Sequence, residues 1–211
     1  MPTLLANGGP VIWLILIAAA TAAVVFIERA LFCHRSTINS AEFLNGVRTV
    51  LKRDNVVEAV AICDATAGPV ARLVKAAILN RDKGRDRVRE AVEEAGLTEV
   101  PRLEEKLNLL ATIAQISPLL GLFGTLVGFI QVFGNLQQAG LYAHISGGPD
   151  SLSAGILQSL ICAAAGIALA IPAHAGYNYL VSRVNKIVLD MERAAAEIVN
   201  VVTENGTGKP Q

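Results

Sequence analysis

Three stretches of this chain, residues 10–27, 107–149 and 151–182, hold no Asp, Glu, Lys or Arg. The polar side chains inside them include Ser117, Thr125, Gln158 and Ser159. In apolar surroundings a hydroxyl can hold a partly dehydrated cation or a water that carries a proton, and a methyl group cannot. A Gln in hydrocarbon must find partners, because an unsatisfied polar group costs several kcal/mol there. Such groups face a bundle interior or a hydrated cavity.

The spacing gathers these groups onto helical faces. Ser117, Gly121, Thr125 and Gly128 recur at three- and four-residue steps, and so do Gly155, Ser159, Ala163, Gly166 and Ala170, with Gln158 and Cys162 beside them. Each face admits two readings. Small residues let helices approach closely, and a Thr hydroxyl can bond to a preceding carbonyl of its own helix. The same faces can also line an ion path. The candidate pathway is therefore Ser117, Gly121, Thr125, Gln158, Ser159, Cys162 and Ala163. His174 follows Pro172 near the end of the third stretch and reads better as an interfacial His than as a proton relay.

Other chemistry finds little support. The chain has no Gly-rich phosphate loop and no Ser/His/Asp or Cys/His grouping. His34 neighbours Cys33, but sequence neighbours on a helix point to different faces. Cys33, Cys63 and Cys162 lack metal-ligand spacing and read as free thiols. The reading is not an enzyme, with no metal and no cofactor. Formal net charge is zero, so no basic surface is offered to nucleic acid.

The elements that position these residues follow from charge and length. The chain is 53% hydrophobic, with mean hydropathy +0.48, which fits a membrane protein with a sizeable soluble part. Fourteen of the 18 Lys and Arg fall in residues 28–106 and four in residues 183–211, with none in 1–9 or 134–154. Positive residues stay on the cytoplasmic side. The expected topology is an outer N-terminus, a large inner loop, a short outer loop and an inner C-terminus. Span one is expected from Pro10 to about Phe32; it ends in Glu28-Arg29 rather than a small-residue cleavage site, so it should remain as an anchor. Span two is expected from about Leu109 to Phe133 and span three from about Leu152 to Leu180, each about long enough to cross hydrocarbon.

The domain reading is 1–33 for the outer segment and first span, and 34–106 for a helical cytoplasmic loop. It continues with 107–182 for spans two and three with a short periplasmic loop, and 183–211 for a helical extension and tail. Within the loop, Glu42–Arg53, Val56–Asp64, Val70–Asn80 and Arg85–Ala95 show helical periodicity, with breaks at 66–69 and 82–84. Glu104–Lys106 read as a helix continuing into span two. Val184, Ile187, Val188, Met191, Ala195, Ile198 and Val201 form an apolar stripe beyond span three. The loop should therefore pack with these extensions and fail to fold alone. Residues 205–211 read as a disordered tail.

The segments ISPLLGLFGTLVGFIQVF and GILQSLICAAAGIALAIPAHAGYNYL carry a resemblance to the MotA/TolQ/ExbB family, closest to its ExbB/TolQ branch. The order of parts resembles it too, over nearly the whole chain. The resemblance implies an all-α integral membrane fold in the bacterial inner membrane, with three transmembrane helices, long cytoplasmic helical extensions and a homo-oligomeric ring, typically a pentamer. It implies a pair of single-span ExbD/TolR-like partners in the pore, a TonB/TolA-like protein beyond them, and a surrounding lipid bilayer. It implies an ion-driven motor, with protons passing between the ring and an Asp of the partner, that powers TonB-type import or Tol-type envelope maintenance. Thr125 matches the family's threonine in the span-two GT motif. Two positions depart: Gln158 stands where many relatives have Glu, and Ala163 where many have Thr. Gln cannot titrate, so a non-conducting scaffold of the same fold is the alternative.

Overall fold

The computed structural model describes residues 9–36, 39–146 and 149–206. Helices α1 (Gly9–Ser36), α2 (Ser40–Leu51), α3 (Val56–Ala65), α4 (Pro69–Leu79), α5 (Arg85–Glu104), α6 (Leu107–Ser146) and α7 (Pro149–Gly206) account for nearly all of them, and no strand occurs among the described residues. Among the described residues three helical stretches are long and apolar enough to cross a membrane. Residues 1–8 and tail residues 207–211 lie outside the described residues, while α7 itself reaches Gly206.

The chain divides into two compact units, passing between them at 28/29, 105/106 and 179/180. The first unit is built from α1 up to Glu28, α6, and α7 up to Tyr179. Its apolar side chains point outward in large numbers: Trp13, Ile17 and Val24 on α1, Leu119, Ile130 and Phe133 on α6, Leu160 and Ile171 on α7. In water such exposure would be costly, and in a bilayer it is solvation. The buried side uses small residues. Val11 and Ile15 of α1 form a core with Cys162 of α7, and Leu120, Val127, Ala165 and Leu169 pack around it. Helix α6 runs on to Ser146, well past the expected end of span two, because Leu, Gln and Ala after Gly134 are good helix formers with no Pro among them.

The second unit is a helical layer. Helix α3 packs on α2 and α4, and α4 packs on α5. Its starts are set by local chemistry. The Asn39 and Asn55 side chains accept from the backbone N–H of Glu42 and Glu58, and each amide donates back to that Glu carboxylate. Pro69 opens α4 at a position where its missing N–H costs nothing. The expected breaks occur at Gly68 and Gly84, which hold φ of 139° and 92°. The expected stripe beyond span three is buried at Val184, Ile187, Met191, Ile198 and Val201. Inside the layer the carboxylate of Glu99, a buried residue, is held by Arg72 at 2.8 Å and Arg102 at 3.0 Å.

Two expectations are corrected. Helix α5 does not stop near Ala95 but continues through Pro101 to Glu104. It does not continue into span two either. The chain turns at Glu105 and Lys106, where Lys106 takes a left-handed φ of 63°. Arg29 supplies the reason. Its guanidinium, on a side chain 4% exposed, donates to the Arg102 carbonyl at 3.2 Å and pairs with Glu105 at 3.0 Å. It thus satisfies a carbonyl that the end of α5 would leave unpaired.

Candidate ion-pathway site

The seven candidate residues lie on α6 and α7, and backbone proximity decides where each one points. Gly121 meets Cys162, Ala163 and Gly166 so closely that an added Cβ would stand 3.0 Å from the Cys162 carbonyl and 3.2 Å from the Gly166 Cα. Gly124 meets the Cys162 side chain, Gly128 meets Ser159, and Gly155 meets Val132. The two small faces therefore pack against each other within one chain. Ser117, Ser159 and Cys162 are essentially without exposure at 0%, 2% and 1%, and Gly121 is buried with them.

Their polar groups are satisfied where they lie, as hydrocarbon demands. The Ser117 hydroxyl donates to the Ile113 carbonyl of its own helix. The Ser159 hydroxyl reaches the Gly155 carbonyl at 2.9 Å and the Thr125 carbonyl across the interface at 3.3 Å. That second contact ties α7 to the backbone of α6 at Thr125, a link that spacing alone did not show. The Thr125 hydroxyl donates to the Leu122 carbonyl at 2.6 Å. Its oxygen keeps lone pairs for accepting, since a hydroxyl is one donor and a double acceptor.

The other three candidates, Thr125, Gln158 and Ala163, are half-buried. Residues two apart on a helix point to nearly opposite sides. Val127 and Ala165 pack on the Val11–Ile15–Cys162 core toward α1. Thr125 and Ala163, two residues before each, therefore face away from α1 on a common flank. Gln158 falls on a different stripe, four, seven and eleven residues before Cys162, Ala165 and Leu169, which belongs to the α1 side. The structure thus separates Gln158 from Thr125, whereas the sequence listed them on one path.

The described parts of the first unit carry no carboxylate or ammonium between residues 107 and 146 or between 151 and 179. At its edge, Lys106 pairs with Glu28. His174 is exposed. Among the described residues no three His, Cys, Asp or Glu side chains gather as metal ligands would.

Residues 65–193, which include α4, α5, α6 and most of α7, match the MotA/TolQ/ExbB proton channel family. The chain belongs to that family. An ExbB homolog for biopolymer transport from Methanothermobacter thermautotrophicus is 23% identical, over 85% of this chain and 62% of its own length. The Tol-Pal system protein TolQ of Haemophilus influenzae is 36% identical over 53% of this chain and 46% of its own. The biopolymer transport protein ExbB of Neisseria gonorrhoeae is 26% identical over 81% of this chain and 80% of its own. The chain thus spans less than two thirds of the first two relatives. Membership in the ExbB/TolQ-like branch of a proton channel family, together with three apolar helices among the described residues, supports an inner-membrane protein.

Proposed function

We propose that this chain is the ring subunit of a proton-driven motor that powers TonB-type import or Tol-type envelope maintenance. Five copies surround a pair of ExbD/TolR-like single-span partners, with α6 and α7 toward the axis and α1 outside. The N-terminus lies in the periplasm and the C-terminus in the cytoplasm, as the distribution of Lys and Arg favours. The observation that carries this reading is the shared flank of Thr125 and Ala163, turned away from α1. Neither uncharged stretch of α6 and α7 holds a carboxylate, which favours a proton-accepting carboxylate on another chain. That fits a partner helix bearing an Asp.

In this reading the seven candidates divide by role. Thr125 and Ala163 face the pore, and Ser117, Gly121, Ser159 and Cys162 hold α6 and α7 at fixed register behind it. Gln158 stands beside the α1 flank. A second reading, a non-conducting scaffold of the same fold, draws on the Thr125–Leu122 hydrogen bond and on Ala163, which bring no free hydroxyl to the flank.

Purification in mild detergent with and without a short single-span protein encoded beside it tests the assembly. The expected result is one oligomeric mass that takes up the partner in fixed ratio. A monomeric mass, or a complex with α1 at the axis, contradicts it.

A further inference from the structure

Helix α7 turns Pro172 and Gly176 toward α1. Pro172 lines a cavity of about 270 Å³ with Ala19, Ala22 and Phe26 of α1. A Cβ added to Gly176 would stand 2.9 Å from the Phe26 ring. His174 lies two residues from each, so its exposed side chain points the opposite way. Ala163, Ile167, Ala170 and His174 recur at steps of four, three and four, which is one face of a helix. His174 therefore stands on the flank of Ala163, toward the end of the span that Lys and Arg follow.

Helix α6 brings a polar group to nearly the same depth. Gly128 meets Ser159 and Gly121 meets Gly166, so the two helices run in opposite directions. From the Gly121–Gly166 contact, Gln115 lies six residues along α6 and His174 eight along α7, roughly 9 and 12 Å at 1.5 Å per residue. Gln115 and Thr125 each stand five residues from Leu120, which packs on the α1 side, and each is turned roughly 140° from it. Gln115 is exposed, and polar groups within a span face a hydrated interior rather than lipid. Across residues 107–134 of α6 and 155–176 of α7, His174 is the only Asp, Glu, His, Lys or Arg.

We propose that His174 passes protons between the flank of Thr125 and Ala163 and the water on the Lys- and Arg-rich side. Imidazole takes up and releases protons near neutral pH. One ring nitrogen accepts a proton from a water on the flank, which makes an imidazolium, and the other gives a proton to water beyond, which restores the neutral ring. Nothing is oxidised or reduced. Few charges surround it. Helix α6 brings none to this depth, and α1 turns its alanines and Phe26 to the other side. Lys106, before α6, is paired with Glu28, and along α7 Tyr177 follows, then Arg183 nine residues on. The proposal rests on the pore reading above and adds the group through which protons enter or leave that pore.

The test uses cells whose only copy of this chain is the variant. His174→Gln keeps a polar side chain and removes the titrating proton. It should cut energised function severalfold, with oligomer size and partner uptake unchanged. His174→Glu, which titrates, should recover much of that function. His174→Cys should react with a charged, membrane-impermeant maleimide in everted vesicles, against the native background of Cys33, Cys63 and Cys162, which are buried. Full function of His174→Gln, equal failure of the Gln and Glu variants, loss of the oligomer in either, or an unlabelled His174→Cys overturns the proposal. Thr125→Val in the same cells separates it from the pore reading. If Thr125→Val fails while His174→Gln is active, the pore stands without this group. If both are active, both readings fall.

Discussion

Gly166 and Gly121 meet backbone to backbone: a Cβ on Gly166 would stand 2.8 Å from the Gly121 Cα and 2.6 Å from the Ser117 carbonyl oxygen. Between lipid-exposed helices there is little hydrophobic drive to associate, so this closeness, with its van der Waals contact, is what holds α6 to α7.

Gly166→Ala should therefore cost about 1–3 kcal/mol by overpacking, since the obstacle is backbone that cannot swing aside. Gly134→Ala, where nothing lies within 4 Å of the added carbon, should leave the fold unchanged or slightly firmer. Apparent melting in detergent compares them. Equal behaviour of the two variants would mean that the α6–α7 packing is looser than described.

The turn between α5 and α6 predicts a second pattern. Lys106 holds a left-handed φ of 63°, which costs an ordinary residue about 1–2 kcal/mol. Lys106→Gly removes that strain and forfeits only the Glu28 pair, worth about 0–1 kcal/mol at such exposure. It should be neutral or stabilising, while Lys106→Val should be destabilising because a β-branched residue tolerates this region worst. Arg29→Ala should lower stability by about 1–3 kcal/mol, because it leaves the Arg102 carbonyl without its donor. Thermal melts of the three variants give the ranking. A destabilised Lys106→Gly would show that the ion pair outweighs the strain.

Cys63 makes a pH prediction. Its thiol is pushed up to about 11, first by burial, then by the Asp64 charge, with Lys75 opposing. A folded-state value raised above the unfolded one, ordinarily about 8.5, stabilises fully below that ordinary value. The contribution is lost as pH rises through about 11. Stability should therefore fall between about pH 9 and 11, and less so in Cys63→Ala after allowing for its lost methylene-sized contacts. Maleimide should label Cys63 slowly at neutral pH, because the thiolate is the nucleophile. Rapid labelling of the folded protein would contradict its burial.

The spans and most loop helices were legible because their signals are strong and local. The uncharged stretches, Gly68-Pro69 and Gly84 announce themselves. The turn at 105–106 was not legible: Glu-Glu-Lys reads as good helix, and the cause, the Arg29 guanidinium, lies over seventy residues away in sequence. The site was legible as two small and polar faces but not as to what they meet. A stripe of Ser and Gly reads the same whether it covers a helix of its own chain or a pore. The close approach of an added Gly128 Cβ to the Ser159 hydroxyl shows intrachain packing that no spacing could specify. Gln158 shows the same limit, since its stripe is assigned only by what Cys162, Ala165 and Leu169 touch.

The most direct measurement is energy-dependent function in cells whose only copy of this chain carries Thr125→Val. The substitution keeps the shape and removes the hydroxyl, whose oxygen can still accept while donating to Leu122. Ala163, the candidate that shares this flank, has no side-chain oxygen to substitute for it, and Gln158 lies on the α1 side and cannot titrate. The account predicts loss of energised function at least tenfold, with oligomer size and partner uptake unchanged, while Gln158→Ala is milder and Gln158→Glu is tolerated. Full activity of Thr125→Val at normal assembly would contradict it, and would leave Thr125 as a helix-bonded hydroxyl in a scaffold.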